Sequence, residues 1–230
     1  MTVEGVDLVI AETDEEVASI VGDALAAAAR AGGAIALTGG HSPGRAYQVA
    51  AERQPDWSAA SVWWGDERCV EPDDERSNYL LARENLFDRL ATQPGEIHRI
   101  RGEIGDDAAA DEYDADLRGV RLDLVLLGVG PDAHAASLFP NAPTLDERER
   151  TAVPAEAKLE PYVDRVTMTI PVLSSAPQVL FILTGADKAE AAERAFARPP
   201  DPAAPASLIR SSSGTTRVVL DRAAAARLSD

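Results

Sequence analysis

Leu122-Asp-Leu-Val-Leu-Leu-Gly-Val-Gly-Pro-Asp-Ala-His-Ala-Ala-Ser-Leu-Phe-Pro140 is the stretch on which the reading of the chain turns. Its first half, Leu122 to Leu127, is apolar except for Asp123, the pattern of a central parallel strand buried on both faces. Gly128, Gly130 and Pro131 end that strand, and Ala133 to Leu138 reads as a short helix beginning just beyond Asp132. Asp132 and His134 are thereby placed at the carboxyl end of a central strand. Ligands of open α/β sheets bind at that edge.

Outward from this stretch strands and helices alternate in both directions, without an internal sequence repeat. Toward the N-terminus, Asp7 to Ala11 reads as a strand, and Thr13-Asp-Glu-Glu16 is a capping-box pattern opening an alanine-rich helix to about Ala31. Ala34 to Leu37 is a buried strand, followed by the glycine loop Thr38-Gly-Gly-His-Ser-Pro-Gly44 and a helix to about Arg53, with Pro43 in its first turn. Ser61 to Trp64 is a third strand, leading into Asp66-Glu-Arg68, a polar loop and a helix from Ser77-Asn78 to about Leu90. Ile97 to Ile100 is a further short strand, and Asp106 to Leu117 an acidic helix read as a solvated face.

Toward the C-terminus a loop-rich passage covers Asn141 to Asp164. Arg165 to Ile170 alternates as a strand should until Pro171, and Gln178 to Leu183 is another buried strand. Thr184-Gly-Ala-Asp-Lys188 opens a helix to about Ala197. Pro199 to Pro205 reads as a rigid surface loop, Val218 to Leu220 as a last strand, and Ala223 to Leu228 as a terminal helix. Alternating strands and helices imply an α/β fold: a single three-layer α/β/α domain over residues 1–230, built on a mostly parallel, Rossmann-like sheet.

With 22 basic residues against 39 acidic, a net charge of −17, the chain is unsuited to a nucleic-acid backbone or an anionic membrane surface. A small anionic ligand remains open if cations gather locally. The single cysteine, Cys69, allows no intramolecular disulfide and no cysteine-based metal site; it reads as a small residue near a strand end and not as a reactive thiolate beside Arg68. The sequence carries no leader pattern and no run of membrane-spanning length, which points to the cytoplasm.

Four strand ends carry polar loops: Gly39-Gly-His-Ser42, Asp66-Glu-Arg68, Asp132-Ala-His134 and Gly185-Ala-Asp-Lys188. Right-handed crossovers put the carboxyl ends of parallel strands on one edge, so these loops can share a pocket. The glycine loop enters a helix N-terminus, where free N–H groups and the helix dipole favour an anion by roughly 0.3–1 kcal/mol. Arg68 either grips that anion bidentately or pairs with Asp66 or Glu67. Gly40-His-Ser-Pro-Gly44 also matches the nucleophile elbow G-x-S-x-G. Two objections weigh against Ser42 as nucleophile: Pro43 lacks the N–H that the elbow uses for the oxyanion, and Asp132 and His134 stand only two residues apart, whereas a base and its orienting carboxylate normally come from separate loops. His98 has no constellation around it, and Trp63-Trp64 reads as core and pocket wall.

Taken together, Leu37-Thr-Gly-Gly-His-Ser-Pro43, Trp64-Gly-Asp-Glu-Arg68 with Asp74 and Ser77-Asn78, Gly128 to Pro140, Arg165-Val-Thr167 and Gly185-Ala-Asp-Lys188 resemble the 6-phosphogluconolactonase family. That family is grouped with glucosamine-6-phosphate deaminases and ribose-5-phosphate isomerases. The resemblance implies hydrolysis of a small phosphorylated sugar lactone, 6-phospho-D-glucono-1,5-lactone, with no metal and no organic cofactor. It implies His134 as general base on water. It also implies that Gly39, Gly40, Arg68 and Lys188 anchor the phosphate, with Ser42 and Arg165 as secondary candidates, and that Asp66 and Asp132 orient cations or bind sugar hydroxyls. Backbone N–H groups of the His134 loop are expected to hold the oxyanion.

The family pattern usually has Ser where His41 stands, Gly where Ala133 stands and Thr where Ala135 stands. His41 thus adds a titratable group beside the proposed phosphate, and Ala133 implies either a negative φ or accepted strain. Deaminases of the superfamily carry an acid soon after the helix start, and Ser137-Leu-Phe-Pro-Asn141 has none. A non-catalytic sugar-phosphate sensor is the alternative from outside enzymology, although such sensors normally carry a DNA-binding module for which this chain has neither length nor charge.

Overall fold

In the computed structural model, which describes residues 2, 3 and 5–228, the first two of them by their backbone alone, the run ending at Gly128 is a strand in the middle of an eight-stranded sheet. The elements in chain order are β1 (Thr2–Val3), β2 (Val6–Ala11), α1 (Asp14–Arg30), β3 (Ala34–Leu37), α2 (Pro43–Arg53), β4 (Ser61–Trp64), β5 (Asp66–Arg68), α3 (Asn78–Asn85), β6 (Glu96–Ile97), α4 (Asp106–Leu117), β7 (Leu124–Gly128), β8 (Ala152–Ala155), β9 (Arg165–Met168), α5 (Ile170–Ser175), β10 (Gln178–Leu183), α6 (Ala189–Phe196) and β11 (Thr215–Asp221). The sheet runs β1-β2-β11-β10-β7-β3-β4-β6, and every pair in it is parallel except β1 with β2. Leu124 to Leu127 are buried between the flanking layers, as an apolar run without alternation requires.

The strand order explains where a ligand can enter. From β3 the chain moves outward through β4 to β6, and from β7 it moves the other way through β10 and β11. The loops leaving β3 and β7 therefore part in opposite directions and leave a crevice at the carboxyl edge. Two buried tyrosines fix the backbone at that edge. Tyr47 Oη accepts the Thr38 N–H at 3.0 Å and donates to the Thr38 carbonyl at 2.6 Å, and Tyr113 Oη does the same for Trp64, at 2.8 and 3.0 Å. Strand ends that ladder pairing no longer satisfies are thus closed by side chains.

The fold departs from the expected elements in several places. The charged tripeptide Asp66–Arg68 is a strand, and β9 does not join the main sheet: β5, β9 and β8 form a separate antiparallel sheet. Gly65 joins the two sheets, its N–H donating to Leu37 in β3 and its carbonyl accepting from Met168 in β9. Residues 133–138 form tight turns instead of a helix, with φ of +68° at Ala133 and +51° at Ala136. Alanine favours helix, but Gly130 N–H is taken by the His134 carbonyl and the Ser137 N–H by Thr167 Oγ1, so tertiary bonding overrides propensity. Residues 223–228 are likewise turns, capped by the Asp221 carboxylate on the Ala224 N–H. α3 stops at Asn85 and continues as a 3₁₀ turn, Phe87–Arg89.

The acidic helix α4 is not simply solvated: Ala109, Ala110, Tyr113 and Leu117 are buried, and so is Asp114. Asp114 accepts the Thr151 N–H at 2.6 Å, the Thr151 hydroxyl at 2.8 Å and Arg118 at 2.7 Å, joining α4 to the start of the small sheet. Burial alone would raise its pKa, but these donors bring it down to about 2. A depressed carboxyl stabilises the fold above the ordinary aspartate range and loses that contribution as pH falls through about 2. By linkage the contribution is about 2 kcal/mol. Asp114→Asn is therefore expected to lower the melting temperature at pH 6 and to make the fall between about pH 4 and 2 shallower. Melts of both proteins through that range check it, and parallel pH profiles would contradict it.

Candidate active site

The four loops do share one cavity, of about 450 Å³, at the carboxyl edge between β3 and β7. Gly39, Gly40, His41, Ser42, Asp66, Arg68, His134, Arg165 and Lys188 all line it. Asp132 does not. It lies behind the imidazole, with Oδ1 2.5 Å from His134 Nδ1 and 3.1 Å from the His134 backbone nitrogen. Base and carboxylate thus come from one loop, contrary to the separate loops expected of such a pair. Ala133, between them at positive φ, turns the backbone so that the carboxylate of residue 132 meets the ring of residue 134.

The imidazole is held on its other sides as well. A Cβ on Gly130 would stand 2.0 Å from His134 Cε1, so only glycine admits the ring there, and Phe139 packs at a centroid distance of 4.8 Å. Nδ1 is committed to Asp132, and among the described residues Nε2 has no protein partner. Burial alone would raise the Asp132 pKa, but the hydrogen bond and charge of His134 lower it further than burial raises it. Asp132 is therefore an anion that fixes the tautomer and orientation of the ring.

Across the cavity, β5 and β9 place Arg68 directly opposite Arg165 on an antiparallel ladder. Neither forms a salt bridge among the described residues, and both Nε atoms are buried without a partner. Arg68 Nη1 donates to the Arg76 carbonyl at 2.5 Å, and Arg165 Nη2 to the Pro161 carbonyl at 3.2 Å, with the Arg165 guanidinium 5.6 Å from the centre of the Phe139 ring. Arg68 consequently does not pair with Asp66 or Glu67. Glu67 instead caps α3, accepting from the N–H groups of Asn78 and Tyr79 and the hydroxyl of Ser77. Burial pushes the Arg165 pKa down, Arg68 adds to the fall, and the nearby Asp66 and Glu67 carboxylates offset it only in part.

Lys188 stands on a 3₁₀ turn, its Nζ 3.9 Å from Asp187, and its loop is anchored by the Gly185 N–H on Asp221 at 3.0 Å. In the glycine loop, no N–H from Gly39 to Ser42 has a protein acceptor among the described residues, and the first turn of α2 holds no acid. Gly39 is where Asn78 packs: a Cβ there would lie 1.7 Å from Asn78 Oδ1. His41 is exposed at the rim.

Asp66 is buried, accepting from Ser137 Oγ at 2.6 Å and Asn78 Nδ2 at 3.2 Å. Both its oxygens are thus occupied by protein donors. Ser42 Oγ is 2.9 Å from Thr184 Oγ1, and no hydrogen bond joins it to His134 among the described residues. Burial and nearby acids push the Cys69 thiol up to about 12, which leaves it protonated at neutral pH. His98 lies flat on Trp63, ring centroids 3.8 Å apart, away from the cavity; both tryptophans are core and neither lines it. Sequence reasoning missed Asn78 as a spacer between the glycine loop and Asp66, Glu67 as a helix cap, and Leu159, Glu160 and Tyr162 as part of the cavity wall.

The arrangement offers, around one cavity, an oriented base, two arginines without a salt bridge among the described residues, a lysine 3.9 Å from its nearest carboxylate, and free backbone N–H donors. A family model described as glucosamine-6-phosphate isomerases/6-phosphogluconolactonase matches residues 6–218. A 6-phosphogluconolactonase of Nostoc sp. is 36% identical over 205 residues, covering 85% of this chain and 84% of that protein. The 6-phosphogluconolactonase of Homo sapiens is 36% identical over 211 residues, covering 86% and 82%. Among solved structures, the crystal structure of a devB protein superposes with a TM-score of 0.87 at 33% identity, over 97% of this chain and 100% of the other.

Proposed function

The chain belongs to the family of glucosamine-6-phosphate isomerases and 6-phosphogluconolactonases, and from that membership we propose how its site works. The enzyme hydrolyses 6-phospho-D-glucono-1,5-lactone to 6-phospho-D-gluconate, the second step of the oxidative pentose phosphate pathway, with His134 activating water. What carries this reading is the presence in one cavity of a carboxylate-backed imidazole and three cations, none closer than 3.9 Å to a carboxylate. Its partner is a small phosphorylated lactone, and its place is the cytoplasm; among the described residues no helix is long and apolar enough to cross a membrane.

A δ-lactone is an activated ester, so base-assisted attack by water suffices without a covalent enzyme intermediate. His134 Nε2 takes a proton from water as the oxygen bonds to the lactone carbonyl carbon. Asp132 stabilises the imidazolium. The tetrahedral intermediate then collapses, the bond to the ring oxygen breaks, and Nε2–H returns the proton to that oxygen. The acid formed ionises to the carboxylate.

The N–H groups of Gly130, Ala133 and His134 are all spent within their own loop, on the His134 carbonyl, the Gly130 carbonyl and Asp132. The donors left for an oxyanion or phosphate oxygen include the N–H groups of Gly39 to Ser42 and, in the His134 loop, those of Ala135 and Ala136, none of which has a protein acceptor among the described residues. Arg68 and Arg165 grip the phosphate, with Lys188 as a third cation. Asp66 supports this wall without touching sugar, and His41 stands at the rim as an added base or cation.

The test is lactone hydrolysis followed in real time, with the substrate generated from glucose 6-phosphate and its spontaneous opening subtracted. Acceleration by the wild type supports the reading; binding of 6-phosphogluconate with no acceleration would make the protein a sensor. Ser42→Ala separates water attack from an acyl-enzyme. Its kcat is expected within about threefold of wild type, whereas loss of a nucleophile removes orders of magnitude.

A further inference from the structure

The nine residues between β8 and β9, 156–164, form no helix or strand, and three of them, Leu159, Glu160 and Tyr162, line the cavity. Their ties to the rest of the protein are few. Cys69 N–H donates to the Asp164 carbonyl at 2.7 Å where the segment ends, and Arg165 Nη2 donates to the Pro161 carbonyl at 3.2 Å in its middle. The remaining hydrogen bonds are internal, Val163 N–H to the Pro161 carbonyl at 2.9 Å and Lys158 to Glu156. The segment is thus a strap across the cavity wall, fastened at its centre by a guanidinium that also faces the cavity.

Among the described residues Tyr162 is the most exposed of the large hydrophobic side chains, at 67%, against 43% for Ile10 and 38% for Ile97. A lone exposed tyrosine needs no explanation. One that lines a cavity is different, because filling the cavity covers it. An aromatic face suits the C–H surface of a sugar ring, and the phenol adds a polar tip at the solvent edge. Arg68, Arg165, Lys188 and the glycine loop offer charge and N–H groups to an anion, and the apolar remainder of the wall, Pro43, Val129, Pro131, Ala136, Leu159 and Ile182, is aliphatic, so among the described residues Tyr162 brings the one phenol ring to the cavity.

We propose that Tyr162 is a substrate-binding residue that packs on the sugar portion of the bound phospholactone, next to the phosphate held by Arg165. The inference rests on the lactonase reading of the site. It adds the element by which the pocket distinguishes a phosphorylated sugar from phosphate alone. Tyr162 takes no part in proton transfer, so its contribution is to the affinity of substrate and product alike and falls on KM.

The experiment compares wild type, Tyr162→Phe and Tyr162→Ala in steady-state lactone hydrolysis, and by calorimetric titration with 6-phosphogluconate and with inorganic phosphate. For Tyr162→Ala the expected result is a KM raised about 5- to 20-fold with kcat within about twofold, in line with a lost ring contact. The 6-phosphogluconate Kd rises by a similar factor and the phosphate Kd is unchanged, while Tyr162→Phe stays close to wild type. An equal loss of phosphate affinity would overturn the direct sugar contact, since Tyr162 would then act by way of Pro161 and Arg165. Wild-type KM and product affinity in Tyr162→Ala would overturn it outright. A wild type that neither accelerated hydrolysis nor bound 6-phosphogluconate would instead overturn the reading of the site itself.

Discussion

His134→Ala is expected to lower kcat by about 10²–10⁴-fold, the usual worth of a positioned general base, while the Kd for 6-phosphogluconate stays within a few-fold of wild type. The split follows from the geometry. The two cavity-lining arginines belong to β5 and β9, and neither depends on the imidazole for a hydrogen bond. Removing the ring leaves a space beside Gly130 and Phe139, so His134→Gln, which keeps more of the volume, accompanies it, and melting temperatures of both separate lost chemistry from lost fold. Asp132→Asn keeps the shape but removes the charge that stabilises the imidazolium, and it should reduce kcat by up to about 10⁴-fold, as when the carboxylate orienting a general-base imidazole becomes an amide. Because Asp132 titrates below the usual aspartate range, it stays ionised near neutrality. A His134→Ala enzyme with kcat within about threefold of wild type would exclude the base and require another activator of water.

The same residues show why the sequence discloses some of the site and hides the rest. Strands β3, β4, β7 and β10 are legible because a strand buried on both faces is a continuous apolar run, and because each ends at a glycine or a polar loop. Their shared carboxyl edge follows from handedness alone. The pairing of Asp132 with His134 is hidden because it needs a positive φ at Ala133, and alanine signals helix there. β5 is hidden for a different reason. Asp66-Glu67-Arg68 has no apolar face, and its strand conformation comes from partners a hundred residues away in β9. The ladder that sets Arg68 against Arg165 leaves no trace in either segment. Glu67 likewise reads as a partner for its neighbour Arg68, and only the folded chain brings the N-terminus of α3 onto its carboxylate. Elements fixed by local pattern can be read, whereas those fixed by tertiary bonding cannot.

Arg165→Met is expected to raise KM and the 6-phosphogluconate Kd by about 10- to 100-fold, the worth of one or two charge-assisted hydrogen bonds, and at the same time to raise the melting temperature in phosphate-free buffer. The two effects have one cause. Arg165 is 3% exposed, lacks an ion pair among the described residues, and faces Arg68 across the ladder. Like charges directly opposite destabilise a sheet, and a buried cation with no anion in hydrogen-bonding contact is worse than an apolar side chain of similar length. An anion between the two guanidiniums relieves both penalties, so phosphate should stabilise wild type strongly, by about 2.7 kcal/mol at a hundred times its Kd. It should stabilise Arg165→Met far less. Arg68→Met should behave in the same way but more weakly on stability, since Arg68 is less buried. If Arg165→Met bound 6-phosphogluconate as wild type does, the phosphate would belong to Lys188 and the glycine loop instead. If it lost binding and also melted lower in the absence of ligand, Arg165 would be a structural cation, held by Pro161 and Phe139. The combination of weaker binding with a more stable empty fold is what a residue kept for its ligand predicts.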